Sequence, residues 1–448
     1  MLERLGQRFE QWIRKYMPDP FLLALILTLV TFALARIFTP NTFLDIVDQW
    51  QNGTGHDDGF WGLLPFAMQM VLIVVTGEAV AASPLVHSMI KRLAALPRTA
   101  AGAIAFVAFF SMLFGWLHWG FGLISAALLA REVAAQAKIR GLKIHYPLLG
   151  AAAYTSLLIW HGGLSASAPL VMNTKNFLKN GMDAIPLTET IFTPMNLTAC
   201  GLLLATVPFL LAAMSPKAGE VEISPETLSE MKPVELVIDR TTIAGKIDGS
   251  PLTSWLIGGT GCIFIYLYFK SKGPDLKPNI VNFVFLMIGM LLHRSPMAYM
   301  KAVSQSMRGT AGIVLQFPFY GGIMGIMRGS GLAHLIADLF IQHATTRTMP
   351  FFGYLCSVVS KLFIPSGGGE WAIEGPIMLE AAKAKGASTG QTIMAVAYGN
   401  MVGNMFQAFW ALPLLGIMGL RAREIMGYCL VIFCFAFPIL GIILLIFS

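Results

Sequence analysis

The chain has 448 residues, of which 56% are apolar and 12% charged, about half the charged share of an average soluble domain. Several apolar runs reach the roughly 18 to 20 residues that a helix needs to cross hydrocarbon, so a soluble enzyme is excluded. Its 31 Lys and Arg outnumber its 24 Asp and Glu, but they scatter through short loops and form no stripe for nucleic acid.

Residues 1–20 read as an amphipathic cytoplasmic N-terminus. Pro18 and Pro20 separate its basic start from an apolar run that lacks a signal-peptide cleavage site. Crossings are predicted at 21–38, 60–82, 147–171, 197–214, 253–270, 279–293, 309–328, 389–416 and 425–447. Residues 100–131 and 350–381 are each long enough to cross twice, but polar and glycine-rich sequence interrupts both, and they read as re-entrant hairpins. The acidic stretch 215–252 has no spanning pattern and reads as a cytoplasmic linker between a first membrane repeat, 21–214, and a second, 253–448. With the N-terminus inside, roughly twice as many Lys and Arg lie inside as outside, the expected bias. The five cysteines sit in apolar stretches without metal-site spacing and read as packing residues.

Two internal matches organise these elements. Ala151-Ala152-Ala153-Tyr154 with Pro169 recurs as Ala395-Val396-Ala397-Tyr398 with Pro413, at the same Tyr-to-Pro spacing of 15. Ser83-Pro84 and Arg98 to Gly102 pair, at a different offset, with Ser295-Pro296 and Arg308 to Gly312. The offsets differ by about one crossing plus a connector, and an extra crossing inverts all that follows it. The predicted fold class is therefore an all-α polytopic membrane protein of two inverted repeats, each with a re-entrant hairpin and a broken transmembrane helix, at 147–171 and 389–416.

Four polar interruptions carry the candidate site: His118, Trp119, Gly120 and Gly122; His161, Gly162, Gly163, Ser165 and Ser167; Ser366, Gly367, Gly368, Gly369 and Glu370; and Asn400, Asn404 and Gln407. Broken backbone in lipid leaves N–H and C=O groups unpaired at several kcal/mol each, so it persists only inside protein or along a wet cavity. All four should meet at one centre. Helix N-termini there suit a carboxylate, and carbonyl ends suit a cation such as sodium at the hairpin tips. No arginine falls within the four motifs, which favours a small monoanion over a dicarboxylate or phosphate. Close helix packing is the competing explanation for each single glycine, and is weakest for Gly367-Gly368-Gly369.

Glu78, His118, His161, Lys361, Glu370 and Glu374 are ionisable at membrane depth and so are functional candidates. A Glu–His pair could carry a coupling proton, or Lys361 could neutralise a glutamate as a structural pair. Trp119, Trp371 and Trp410 could stack on an alkyl chain or fill helix packing. No phosphate loop or zinc-binding histidine cluster occurs, so neither an ATP-driven motor nor an enzyme is indicated, and no cofactor is expected. A passive channel remains the alternative, because broken helices also build filters.

The residues resemble the bacterial short-chain fatty acid transporters. The matching stretches include Met17-Pro18-Asp19-Pro20, Trp119-Gly120-Phe121-Gly122-Leu123, Ala130-Arg131-Glu132-Val133-Ala134, Gln316-Phe317-Pro318-Phe319-Tyr320, Pro365-Ser366-Gly367-Gly368-Gly369 and Phe409-Trp410-Ala411-Leu412-Pro413. The resemblance runs in order along nearly the whole chain. It implies uptake of acetoacetate and butyrate across a bacterial inner membrane. The wider ion-transporter superfamily implies an elevator motion against a homodimeric scaffold. His161 and Glu370 depart from the family pattern, which leaves the coupling ion, proton or sodium, open. A di- or tricarboxylate symporter of the same fold is the runner-up.

Overall fold

The computed structural model describes residues 2–55, 59–173, 184–216, 221–230, 241–273 and 277–448. Six helices among them are long and apolar enough to span a membrane: Pro20–Phe38, Leu64–Ala82, Ala100–Leu117, Pro194–Ala213, Ile243–Lys272 and Ala422–Phe447. Pro296–Ser306 and Ala311–Gly329 are bent by 59° at a short break and, taken together, pass as one further candidate span. The protein is an all-α polytopic membrane protein.

Local sequence explains most helix starts. Proline occupies the first helical turn of Pro20–Phe38, Pro194–Ala213, Pro251–Lys272, Pro278–His293 and Pro296–Ser306, where its missing N–H costs nothing. Asp19, Thr193 and Ser295 cap three of these helices by accepting from backbone N–H groups in the first turn. The helix Phe43–Asn52, which follows the first span, is started by a reciprocal capping box between Thr42 and Asp45.

The helices pack in two groups. The first holds Pro20–Phe38, Phe43–Asn52, Leu64–Ala82, Pro251–Lys272, Pro278–His293, Pro296–Ser306 and Ala311–Gly329. The second repeats one order of elements in each half of the chain. Ala100–Leu117 and Trp119–Ile139 form a pair, followed by the interrupted run Tyr146–Tyr154, Ser156–Ile159, Trp160–Gly162 and Ser167–Met172, then by Pro194–Ala213. Met349–Ser360 and Gly367–Ala384 form the second pair, followed by Thr389–Gly403 and Ala411–Met418, then by Ala422–Phe447.

Each pair folds back on itself. Arg140, after the first pair, donates through Nη1 to the carbonyls of Ala95 (2.9 Å) and Pro97 (3.0 Å), which lie before it. Lys385, after the second, donates to Ala344 O at 2.6 Å, and Thr346 donates to Lys385 O at 2.6 Å. The late piece of each interrupted run packs across the halves: Ser167–Met172 on Gly367–Ala384 and Thr389–Gly403, and Ala411–Met418 on Trp119–Ile139 and Tyr146–Tyr154.

The N-terminal helix Leu2–Tyr16 lies along Ala422–Phe447. A Cβ on Gly427 would fall 2.3 Å from Glu10 Cα, so glycine is what allows the approach. Arg14 pairs with Glu10 on its own helix and lies 3.7 Å from Glu424 on the other. The expected linker, 215–252, falls partly outside the described residues. Its start docks on the entry to the first interrupted run, with Val221 N donating to His145 Nδ1 (3.1 Å) and Tyr146 N to Val221 O (2.7 Å).

Candidate functional site

The first pair breaks at one residue. His118 is extended (φ −160°, ψ 126°), and its Nδ1 accepts from Phe121 N at 3.2 Å, which caps the second arm. The first interrupted run closes this tip. Leu164 N donates to Trp116 O (2.8 Å), and Trp119 N donates to Ser165 Oγ (2.9 Å), so groups orphaned by the break find partners. Contact is so close that a Cβ on Gly163 would lie 2.0 Å from Trp116 O, and one on Gly122 would lie 2.5 Å from Gly115 Cα. These two glycines serve packing. Gly120 faces Ile73 and the His118 ring, and Gly162 faces Cys200 and Asn196, whose Nδ2 donates to Gly162 O at 2.8 Å.

The second pair breaks over Lys361 to Ser366, and charge organises it. Ser366 caps the second arm by accepting from Gly369 N at 3.2 Å. Lys361, fully buried, donates through Nζ to Pro365 O and to Asn400 Oδ1, the latter at 3.0 Å. Asn400 Nδ2 and Ser357 Oγ both donate to the buried Glu370 carboxylate, so Asn400 bridges an ammonium and a carboxylate. Its carbonyl end faces the cation and its amide end faces the anion, the only orientation that satisfies both.

The four interruptions meet. His161 Nε2 lies 3.1 Å from Asn400 Oδ1, and its Nδ1 accepts from Ser167 N at 3.3 Å. Those partners assign a neutral ring with the proton on Nε2. A Cβ on Gly367 would lie 2.3 Å from His161 Nε2, and Trp410 Nε1 donates to Pro365 O at 2.8 Å. Trp119 sits 5.2 Å from Trp410 and 6.0 Å from Trp160, and Trp160 covers His161 at 3.7 Å between ring centroids. Three indoles thus wall the junction.

Among the described residues, several buried polar atoms of the fourth motif and of Trp160 have no hydrogen-bond partner: Asn404 Oδ1, both side-chain polar atoms of Gln407, and Trp160 Nε1. Asn404 Nδ2 donates to Leu157 O at 3.3 Å. Buried polar groups are normally paired, and these atoms have the capacity to take a further hydrogen bond. Gly368 has open space around it, whereas Gly369 abuts Met324.

Not every sequence candidate comes to the junction. Glu78 instead pairs with Arg131 at 2.9 Å, and Arg131 also donates to Ile417 O at 2.9 Å. Trp371 packs over Gly375 in a separate apolar cluster with Cys356 and Met378. Among the described residues neither Glu374 carboxylate oxygen has a hydrogen-bond partner at ordinary distance, and Ser360 is the hydroxyl beside it. Sequence reading missed Trp160, Ser357 and Asn196 as participants. Tyr154 and Tyr398, flagged only as repeat markers, reach across the halves: Tyr154 Oη donates to Gln407 O (3.1 Å) and Tyr398 Oη to Asn196 Oδ1 (3.0 Å).

The profile of the short chain fatty acid transporter family matches residues 1–447. A protein of Escherichia coli (strain K12) named for short-chain fatty acid transport is 39% identical over 439 residues, covering 97% of this chain and 98% of its own. Its counterpart in Haemophilus influenzae (strain ATCC 51907 / DSM 11121 / KW20 / Rd) is 39% identical over 449 residues, covering 98% of each. The solved structure of the Neisseria gonorrhoeae antimetabolite efflux pump MtrF is 14% identical, with a TM-score of 0.43 over 98% of this chain and 96% of that one. By the profile match and the identity to both relatives, the chain belongs to the short-chain fatty acid transporter family.

Proposed function

We propose that the protein takes up short-chain monocarboxylates, acetoacetate and butyrate among them, across the bacterial inner membrane as a secondary carrier driven by a proton or sodium gradient. One observation supports the reading: residues of all four interruptions meet beside Trp119, Trp160 and Trp410, and in the same motifs Asn404 and Gln407 carry buried polar atoms that are unpaired among the described residues. Indole faces suit a short alkyl chain, and the amides suit a carboxylate. Among the motif residues no arginine offers the bidentate clamp a dicarboxylate would favour.

In this reading the two folded-back pairs are re-entrant hairpins in inverted repeats, 21–214 and 253–448, joined by a cytoplasmic linker at 215–252 behind a cytoplasmic N-terminus at 1–20. The second helix group moves as an elevator against the first, which forms the homodimer. The repeated element order and the cross-half packing support this arrangement.

Labelled butyrate in reconstituted vesicles tests it. Gly368→Trp, Ser167→Ala and Asn404→Ala should each abolish uptake while leaving folded protein, since Gly368 has free space around it. Near-normal uptake in all three would reject the site. Accumulation above the external level separates a carrier from a passive channel, and competition by succinate or citrate would instead favour a di- or tricarboxylate symporter.

A further inference from the structure

Lys361 lies in none of the four polar motifs, yet its ammonium occupies the second tip. Its stem passes Gly403, where a Cβ would fall 2.5 Å from Lys361 Cγ, so the facing helix is cut away where the side chain runs. The oxygens that receive Nζ are a main-chain carbonyl at a loop-to-helix break, Pro365 O, and an amide carbonyl, Asn400 Oδ1. Trp410 Nε1 holds the same Pro365 carbonyl in place. Carbonyl oxygens at unwound helix ends are the donors that take a sodium ion in transporters of this architecture. Here a cation tethered to the chain already fills them. Among the described residues, the charged or titratable groups facing it are Glu370 across Asn400 and His161 from the first interrupted run, while Glu374 lies one turn past Glu370 on the same helix and neighbours Glu370.

We propose that Lys361 is a built-in cation: its ammonium takes the position at the second tip that sodium would otherwise hold, and the ion coupled to uptake there is the proton on Nζ. The inference rests on the uptake reading above and names its coupling ion. One N–H proton passes from Nζ to water on the inner side when the Pro365 and Asn400 oxygens separate from it, leaving a neutral amine. One proton from outer water restores the ammonium before the next anion enters. A sodium ion cannot share these two oxygens, because two cations a few Å apart in a dry site repel strongly.

The test uses the full chain in vesicles with labelled butyrate under an inward proton gradient, in sodium-free choline buffer and again with sodium. Wild-type accumulation should agree within twofold between the two buffers, and a sodium gradient alone should drive none. Lys361→Met should lose at least tenfold of the proton-driven accumulation. Lys361→Ala, which vacates the carbonyl oxygens, should become dependent on sodium. Because removing one charge of a buried pair can unfold the protein, Lys361→Met with Glu370→Gln serves as the charge-balanced variant and should show the same tenfold loss. Wild-type uptake driven by sodium alone, or proton-driven accumulation retained in either methionine variant, overturns the role of Lys361 while leaving the uptake reading intact. Absence of butyrate uptake and exchange under every gradient overturns both.

Discussion

The two tips share one layout and differ in chemistry. At the first, the chain turns on His118 alone, and backbone N–H groups, a serine hydroxyl and glycines in hard contact close it. At the second, a six-residue break is held by Lys361, Asn400 and Glu370, with side chains supplying the bonds. A joint made by main-chain contact has a single geometry, whereas one made by an ammonium, an amide and a carboxylate can be remade when a proton or ligand arrives. In the proposed carrier, the first tip would act as a fixed wall and the second as the responsive one.

Substitutions can break this contrast. Asn400→Leu should have the largest effect, because it strips one partner each from Lys361 and Glu370. Breaking a buried pair costs about 3 to 5 kcal/mol, read as a fall in thermal stability in detergent. An unchanged melting temperature would show that the two charges do not depend on Asn400. Gly163→Ala comes next, at about 1 to 3 kcal/mol, because its Cβ meets backbone that cannot rotate away. Gly368→Ala at the second tip should be neutral, and equal losses from the two would erase the difference in rigidity. Ser165→Ala removes one bond to Trp119 N, worth about 1 kcal/mol, and should leave the fold intact.

The smallest effect concerns an asymmetry of the N-terminal helix, which is not one of the candidate spans: in the second half Ala422–Phe447 carries it. Burial pushes the Glu10 carboxyl above its usual range, Arg14 pulls it back and Glu424 adds to the rise. A carboxyl raised in the folded state favours docking below its ordinary pKa, and that contribution is lost as pH rises through the raised value. Limited proteolysis of the N-terminal helix should therefore be slower in mild acid than at neutral pH, and Glu10→Gln should flatten the difference.

Apolar length and proline starts are local signals, and they located the spans Pro20–Phe38, Leu64–Ala82, Pro194–Ala213 and Ala422–Phe447; the crossing expected at 279–293 is only a shorter apolar helix, and Ala100–Leu117, expected to be one arm of a re-entrant hairpin, is long and apolar enough to span on its own. The first pair extends to Ile139 and the second to Ala384, past the expected 131 and 381. In the first pair Arg131 is paired with Glu78, and Glu132 accepts from Gln136 at 2.8 Å within the buried face. The span expected at 60–82 begins at Leu64, and the one at 309–328 continues from a helix bent against it. At the junction, the motif residues were visible because glycine, asparagine and serine break apolar runs. Lys361 was noticed only as a charge, since the neighbours that give it meaning, Asn400 and Gly403, lie about forty residues away. Trp160 looked like any membrane tryptophan until His161 and Trp119 were placed beside it.

The most direct test of a single shared site is a structure determined with a heavy-atom short-chain acid such as 4-bromobutyrate. The account predicts the bromine among Trp119, Trp160 and Trp410, with the carboxylate at the free polar atoms of Asn404 and Gln407. Binding confined to a different place, such as the cavity of about 240 Å³ lined by Arg328, His334 and Ile373, would contradict it.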